Sequence, residues 1–294
     1  MLKGKKIISI LLAVMVCVAM MPAAVFADEV TGVEINNTNF PDAGFREYVR
    51  DEIDRNGDGT LSDAEINRVK KIDFGDEAKN LKGIEIFKNL EVLDCETVGL
   101  TSLDVSKNTK LKKLICMNNK LTKLDVSKNK NLTYLDCEYN RLTKLNVSKN
   151  TKLKTFACSS NKITKLSVSK NKALTGLYCS DNKLKTLNVS KHSKLKEVYC
   201  GSNRISKLNV SKCKSLKVLN CYDNKLKKLN VKNHKYLKDL WVNLNKIKTV
   251  NVKGCSKKIE VYTDKKTKVT GKKLKRKPIY AIYVWANHKV KDRR

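Results

Sequence analysis

From Leu90 onward the apolar positions recur in blocks of 21 residues. One block reads Leu111-Lys112-Lys113-Leu114-Ile115-Cys116-Met117-Asn118-Asn119-Lys120-Leu121, then Thr122-Lys123-Leu124-Asp125-Val126-Ser127-Lys128-Asn129. Further blocks start at Leu132, Leu153, Leu174, Leu195, Leu216 and Leu237, and a less regular one starts at Leu90. Leu114 and Cys116 are two residues apart, the period of a strand with one buried face. Leu121, Leu124 and Val126 carry the apolar set around the return. Self-similarity at this length predicts a solenoid. One block alone buries too little to offset its chain entropy, so blocks must stack, with strands about 4.8 Å apart in a parallel sheet.

Two polar or soft residues hold fixed places in this pattern. Cysteine recurs at Cys95, Cys116, Cys137, Cys158, Cys179, Cys200 and Cys221. The spacing predicts a column of small buried hydrophobes rather than a metal array or disulfide framework. In-register thiols on parallel strands point the same way and are poorly placed to pair. Asparagine recurs at Asn119, Asn140, Asn161, Asn182, Asn203, Asn224 and Asn245. An amide there can satisfy backbone groups of its own coil and a neighbouring one. Val98 breaks that column, which predicts an irregular first unit. A further column, Asn108, Asn129, Asn150 and Asn171, continues as His192, Cys213, His234 and Cys255. These four resemble metal ligands but sit on successive coils, too far apart for one ion, and read as drift at a turn position.

The pattern L-x-x-L-x-C-x-x-N-x-L resembles the leucine-rich repeat, with Cys for the third Leu. It covers residues 90–257, eight units. The resemblance implies an α/β repeat solenoid: a horseshoe or arc with a parallel sheet on its concave face, irregular convex returns and a small helical N-terminal cap.

Ahead of the repeats, within residues 28–89, the run from Asp54 to Glu65 has the spacing of an EF-hand calcium loop. Asp54, Asn56 and Asp58 stand at positions 1, 3 and 5, and Gly59 at the turn position 6. Thr60 offers its carbonyl at 7, Ser62 sits at 9, and Glu65 binds through both oxygens at 12. Residues 42–53 read as the entering helix and residues 63–71 as the exiting one. EF-hands usually pair and one loop is visible, so the Ca²⁺ reads as structural, fixing a cap over the first coil. The segment Leu81-Lys82-Gly83-Ile84-Glu85-Ile86-Phe87 then leads into the repeats. A helical cap, such a segment and short regular coils resemble the internalins and related leucine-rich surface proteins of Gram-positive bacteria. That resemblance covers residues 31–257 and implies a binding protein, adhesin-like, with no enzymatic role.

Composition adds compartment and charge. Lys3, Lys5 and Lys6, an apolar run over Ile7–Met21 and the small residues of Val25-Phe26-Ala27 read as a signal peptide over residues 1–27, cleaved after about Ala27. The mature chain then has no transmembrane segment and is secreted or held at the cell surface. With 62 Lys and Arg against 29 Asp and Glu, the formal charge is +33. A chain so basic associates with polyanions, such as anionic wall polymers or acidic glycans; export argues against a specific nucleic-acid partner. Residues 258–294 leave the repeat and read as a basic C-terminal cap or tail, with Ile279–Trp285 as a closing strand.

The concave positions depart from this charge balance. Places 3, 5, 7 and 8 of each unit carry one basic residue, Lys113, and eight acids, including Asp136, Glu138, Asp181, Glu197, Asp223 and Asp239. They also carry Tyr134, Tyr139, Tyr178, Tyr199, Tyr222 and Trp241, the residue types that anchor interfaces. These twelve side chains predict a binding face for a basic protein or peptide, or for a glycan that stacks on the rings. The pairs Asp94/Glu96 and Asp136/Glu138 have a glycosidase-like spacing. They stand on an open repeat surface with no pocket to tune them, which argues against catalysis. The expectation is a monomer that binds through this face. A polycation held only by charge is the alternative.

Overall fold

The computed structural model describes residues 32–271. Ten strands form one parallel sheet, running from β3 (Lys71–Asp73) through the repeat strands Val92–Asp94 to Asp239–Trp241 and ending at Glu260–Tyr262. Pairing is offset by one repeat at every step, Leu93 opposite Leu114 and Leu240 opposite Val261. The middle residue of each repeat strand points into the core: Leu93, Leu114, Leu135, Phe156, Leu177, Val198, Leu219 and Leu240 are all fully buried. The sheet therefore runs one strand beyond each end of the 90–257 repeat block. Lys71–Asp73 belongs to the segment read as cap, and the expected exiting helix stops at Arg68, since the chain turns extended at Val69 and enters this strand at Lys71. Glu260–Tyr262 belongs to the segment read as tail, and Lys268–Thr270 pairs in parallel with Thr249–Asn251. The signal segment 1–27 and the stretch Ile279–Trp285 lie outside the described residues.

The Cys column is fully buried and unpaired. Several thiols donate to a carbonyl of the next coil, Cys95 Sγ to Ile115 O at 3.4 Å and Cys137 Sγ to Ala157 O at 3.3 Å. The Asn column works as expected. Asn140 Oδ1 accepts the Leu121 N–H at 3.0 Å, while its Nδ2 donates to Cys116 O of the previous coil and to Cys137 O and Glu138 O of its own. Cys can sit at that third apolar place because two columns meet there: the thiol fills a small volume beside an amide that needs the backbone within reach.

The second polar column lies inside the convex side. Asn129 Nδ2 donates to Val105 O at 2.9 Å and to Asn108 O at 2.9 Å. Where the Asn changes, the bond to the carbonyl 24 residues back survives. His192 Nε2 lies 2.9 Å from Val168 O, Cys213 Sγ 3.2 Å from Val189 O, His234 Nε2 2.9 Å from Val210 O, and Cys255 Sγ 3.0 Å from Val231 O. The four residues are thus alternative donors to one carbonyl ladder, on successive coils. Asn108, Asn129, Asn150 and Asn171 keep Oδ1 buried without a hydrogen-bond partner, as does His192 its Nδ1.

The N-terminal unit is built on β1 (Gly32–Glu34), α1 (Ala43–Tyr48), a π-helical turn over Val49–Ile53, β2 (Thr60–Ser62) and α2 (Asp63–Arg68). Phe40, Phe45 and Phe74 are fully buried, with Phe45 and Phe74 edge-to-face at 5.6 Å. This small core is continuous with that of the repeats. Asp42 N-caps α1 through the Phe45 N–H and also accepts the Lys79 N–H at 2.8 Å, which ties the helix to the chain entering the first coil.

Candidate binding face and calcium loop

The concave strand positions form a packed layer rather than a row of free side chains. Asp136, Glu138, Tyr178 and Trp241, read from the sequence as exposed contacts, are all buried, Tyr178 at 6% and Trp241 at 3% exposure. Two glycines explain part of this. A Cβ on Gly176 would lie 2.9 Å from the Tyr178 ring, and one on Gly201 would lie 2.3 Å from the Tyr222 ring. The missing side chains let these rings fold down over the sheet. Tyr178 stacks on Tyr199 at 5.3 Å and its hydroxyl donates to Glu197 at 2.6 Å. Trp241 packs against Tyr262 at 4.8 Å, and Lys113 Nζ stands 5.4 Å over the Tyr134 ring. The rings were legible as residue types. Their orientation depended on which neighbour is glycine, a signal present in the sequence at Gly176 and Gly201.

Tyr134, Glu197, Tyr199, Tyr222 and Asp239 are half-buried, and Tyr139, Asp181 and Asp223 are exposed. The last three belong to place 8, which is not a strand position. Thr97, Asn118, Tyr139, Ser160, Asp181, Ser202, Asp223 and Leu244 all have left-handed backbone, with φ between 46° and 64°. Each coil turns here, at the rim of the sheet. Asn and Asp tolerate this conformation, whereas Thr, Tyr and Leu are strained in it. Tyr139 and Leu244 are also among the most exposed large apolar side chains, at 48% and 56%.

Desolvation, with acid neighbours adding to it, raises two carboxyls on this face. Burial pushes the Asp94 carboxyl up, and the neighbouring Asp73 adds to it, against the Glu96 N–H and the lysines Lys113 and Lys71. Partial desolvation at the crowded rim also pushes the carboxyl of the exposed Asp181 up, with Asp223 of the next coil adding to it and Ser202 opposing.

Asp54, Asn56 and Asp58 fall on the loop after the π-helical turn, Thr60 and Ser62 on β2, and Glu65 in the first turn of α2. Asp54 Oδ1 accepts the Gly57 N–H and Oδ2 the Gly59 N–H, both at 2.9 Å. Gly57 and Gly59 have φ of 70° and 80°, and a Cβ on either meets nothing, so glycine is required there by backbone conformation alone. Ser62 caps α2 and Glu65 closes the capping box: Ser62 Oγ accepts from Glu65 N, and Glu65 Oε2 from Ser62 N at 3.0 Å and from Ser62 Oγ at 2.8 Å. Glu65 Oε1 accepts the Arg55 N–H at 2.9 Å. Burial raises the Glu65 carboxyl, but these hydrogen bonds from Ser62 and Arg55 outweigh it and hold it below its usual range.

The chemistry of this donor set fits Ca²⁺, which takes hard oxygens from carboxylates, amides and carbonyls. Its geometry fits in part. Asp54 and Glu65 are buried and oriented by the loop backbone. Asn56 and Asp58 are turned to each other, Nδ2 donating to Oδ2 at 2.8 Å. Among the described residues no three His, Cys, Asp or Glu side chains gather as a metal site. β2, the loop's own strand, pairs antiparallel with β1, Leu61 opposite Val33.

No protein-family model matches the chain, and no curated protein matches it. Solved structures do. The functional domain of InlJ from Listeria monocytogenes, described as including a cysteine ladder, is 28% identical; the match covers 84% of this chain and 64% of that one, with a TM-score of 0.62. A leucine-rich repeat protein of Leptospira interrogans is 25% identical over 63% of this chain and 54% of its own, with a TM-score of 0.52. Internalin C2 of Listeria monocytogenes is 18% identical over 79% of this chain and 97% of its own, with a TM-score of 0.59. The chain thus spans less than two thirds of the first two structures. These comparisons and the parallel sheet define the class, a leucine-rich repeat solenoid. Its particular build is internalin-like, and its column of buried cysteines is similar to the cysteine ladder by which the InlJ domain is described. No helix among the described residues is long and apolar enough to cross a membrane.

Proposed function

We propose that this chain is an exported leucine-rich repeat binding protein, adhesin-like, whose concave face and rim receive a basic protein or peptide. The observation that carries the reading is the inversion of charge: eight acids, six of them half-buried or exposed, and a single lysine on that face, in a chain of formal charge +33. Mixed-sign solubilisation of a surface would scatter charges; segregation of one sign onto one face complements a partner of the other sign. The side chains available to that partner are Tyr134, Tyr139, Asp181, Glu197, Tyr199, Tyr222, Asp223 and Asp239. Burial of Tyr178 and Trp241 leaves fewer ring faces for a stacking sugar and favours the peptide. A Ca²⁺ ion on Asp54, Asn56, Asp58, Glu65 and the Thr60 carbonyl would hold the cap, with Ser62 serving through the capping box. Export rests on the apolar leader over residues 1–27.

The test is a pull-down from candidate cell and wall extracts at low and high salt, with Tyr199→Ala/Tyr222→Ala and Asp181→Asn/Asp223→Asn variants. The expected loss is about 2 kcal/mol at the strongest site, persisting at high salt for the tyrosines. If both variants bind like wild type, while Lys128→Ala/Lys149→Ala loses binding at every salt, the face reading fails. A polycation bound to anionic wall polymers then takes its place. Calorimetry checks the metal: wild type should take up one Ca²⁺ and Asp54→Ala/Glu65→Ala none, and absence of uptake by wild type removes calcium from the reading.

A further inference from the structure

Each coil leaves the sheet through its buried Asn and then turns. The next residue is basic in seven consecutive coils: Lys120, Arg141, Lys162, Lys183, Arg204, Lys225 and Lys246. All seven are exposed. Their backbones are pinned in one register, Lys120 N–H donating to Leu100 O at 2.8 Å, Arg141 to Leu121 O at 2.9 Å, and so on to Lys246 and Leu226 O at 2.8 Å. The cations therefore stand in line at the spacing of the coils, about 4.8 Å. A second lysine follows two or three places on in every one of these turns, as at Lys123, Lys165, Lys185 and Lys207, and no acid occurs between the Asn and that lysine. None of the ion pairs among the described residues involves this flank. Like charges in line repel, so the arrangement is unfavourable in the free protein.

The same flank carries a groove. An open cleft of about 580 Å³ lies over the short parallel pair Leu187–Asn188 and Leu208–Asn209, with Thr186, Asn188, Ser190 and Ser206 beside Lys207 and Lys228. Its floor is largely apolar, on Leu187 and Leu208, with hydroxyl and amide groups at its edges and the second lysines of two turns, Lys207 and Lys227, beside them.

We propose that this flank is a rail for a linear acidic glycan lying across the coils. An extended hexose chain advances by roughly one coil per sugar, which would set one carboxylate or sulfate against each cation of the column. Where the glycan passes the groove, Leu187 and Leu208 offer an apolar floor to a sugar ring and the flanking hydroxyls and amides can hydrogen-bond its hydroxyls. The rail lies beyond the left-handed turns, off the concave face, and does not depend on what that face binds.

The test uses the full chain with polygalacturonate and heparin oligosaccharides of increasing length, the two arms separating carboxylate from sulfate. Affinity should rise with each added sugar until the ligand spans the column. Lys183→Gln/Arg204→Gln/Lys225→Gln should lose about tenfold or more, with a shallower dependence on salt as ion contacts are removed. Lys128→Gln/Lys149→Gln/Lys170→Gln removes the same charge from another exposed column and should lose less than about twofold. Both triple variants alter exposed side chains only, and unchanged melting curves check that each folds. Equal losses in the two variants overturn the rail, since net charge alone would then explain binding. Affinity independent of oligomer length overturns it as well. Single-stranded nucleic acid or polyglutamate of matched charge binding as tightly as either glycan overturns the assignment to a sugar chain.

Discussion

At the scale of single residues the decisive question is what a thiol does in a core. Burial pushes every ladder thiol up; Cys200 reaches about 12, and Cys137 rises further because Cys116, Cys158 and nearby acids add to burial. A thiol that does not ionise is neither a nucleophile nor a metal ligand at neutral pH. The seven ladder cysteines should therefore resist a thiol-labelling reagent in the native protein and react together on unfolding. Partly exposed Cys255 should label first, and early labelling of Cys158 would mean that the strand register is wrong. The ladders were readable from spacing because periodicity reports burial. Tyr178 and Trp241 were misjudged as free because spacing reports the face of a strand and not the packing on that face. Trp241→Ala is accordingly a stability change of about 3–5 kcal/mol rather than a clean probe of binding.

At the scale of elements, both polar columns show what a repeat must conserve physically: a donor to one carbonyl per coil. His192 occupies its place as a neutral ring. Burial lowers its pKa, against the bond to Val168 and the nearby Val189 carbonyl, with Lys172 lowering it further. A histidine lowered on folding takes up its proton more readily in the unfolded chain. Stability linked to it is complete above the unfolded value, about 6.5, and falls as pH drops below that. His192→Asn restores the residue found at Asn171 and retains a donor toward Val168 O. Thermal melts between pH 7 and pH 5 should show a shallower loss in that variant than in wild type, and parallel curves would remove His192 from the account. The sharp turn of the Asp54–Glu65 loop was legible at the same scale, since Gly59 takes left-handed backbone at the turn position its spacing gave it. The pairing of β2 with β1 was not, because Gly32–Glu34 is too short to carry a period. Nor was β3 distinguished from the end of α2, where Val69 and Ile72 suit either element.

At the scale of the whole molecule, stacking turns a small local choice into a line of identical choices. The left-handed turn at place 8 is one such line, and its occupants differ in cost. Asn118, Asp181 and Asp223 suit the conformation; Tyr139 is strained by about 1 kcal/mol and exposes a large ring. Folding alone favours Asn there, so the presence of Tyr139 at the acidic rim fits a contact residue kept at the expense of stability. Tyr139→Asn separates the two roles. It should raise stability by up to about 1 kcal/mol in denaturant melts, with an unchanged slope, and weaken binding of the partner recovered on the concave face. Binding should also decline on acidification from above the ordinary carboxylate range, because Asp181 is pushed up and a protonated acid no longer holds a cation. A Tyr139→Asn variant that gains stability and binds as well as wild type would leave the ring as a tolerated accident of the repeat. The contact surface would then shrink to the half-buried tyrosines and the acids between them.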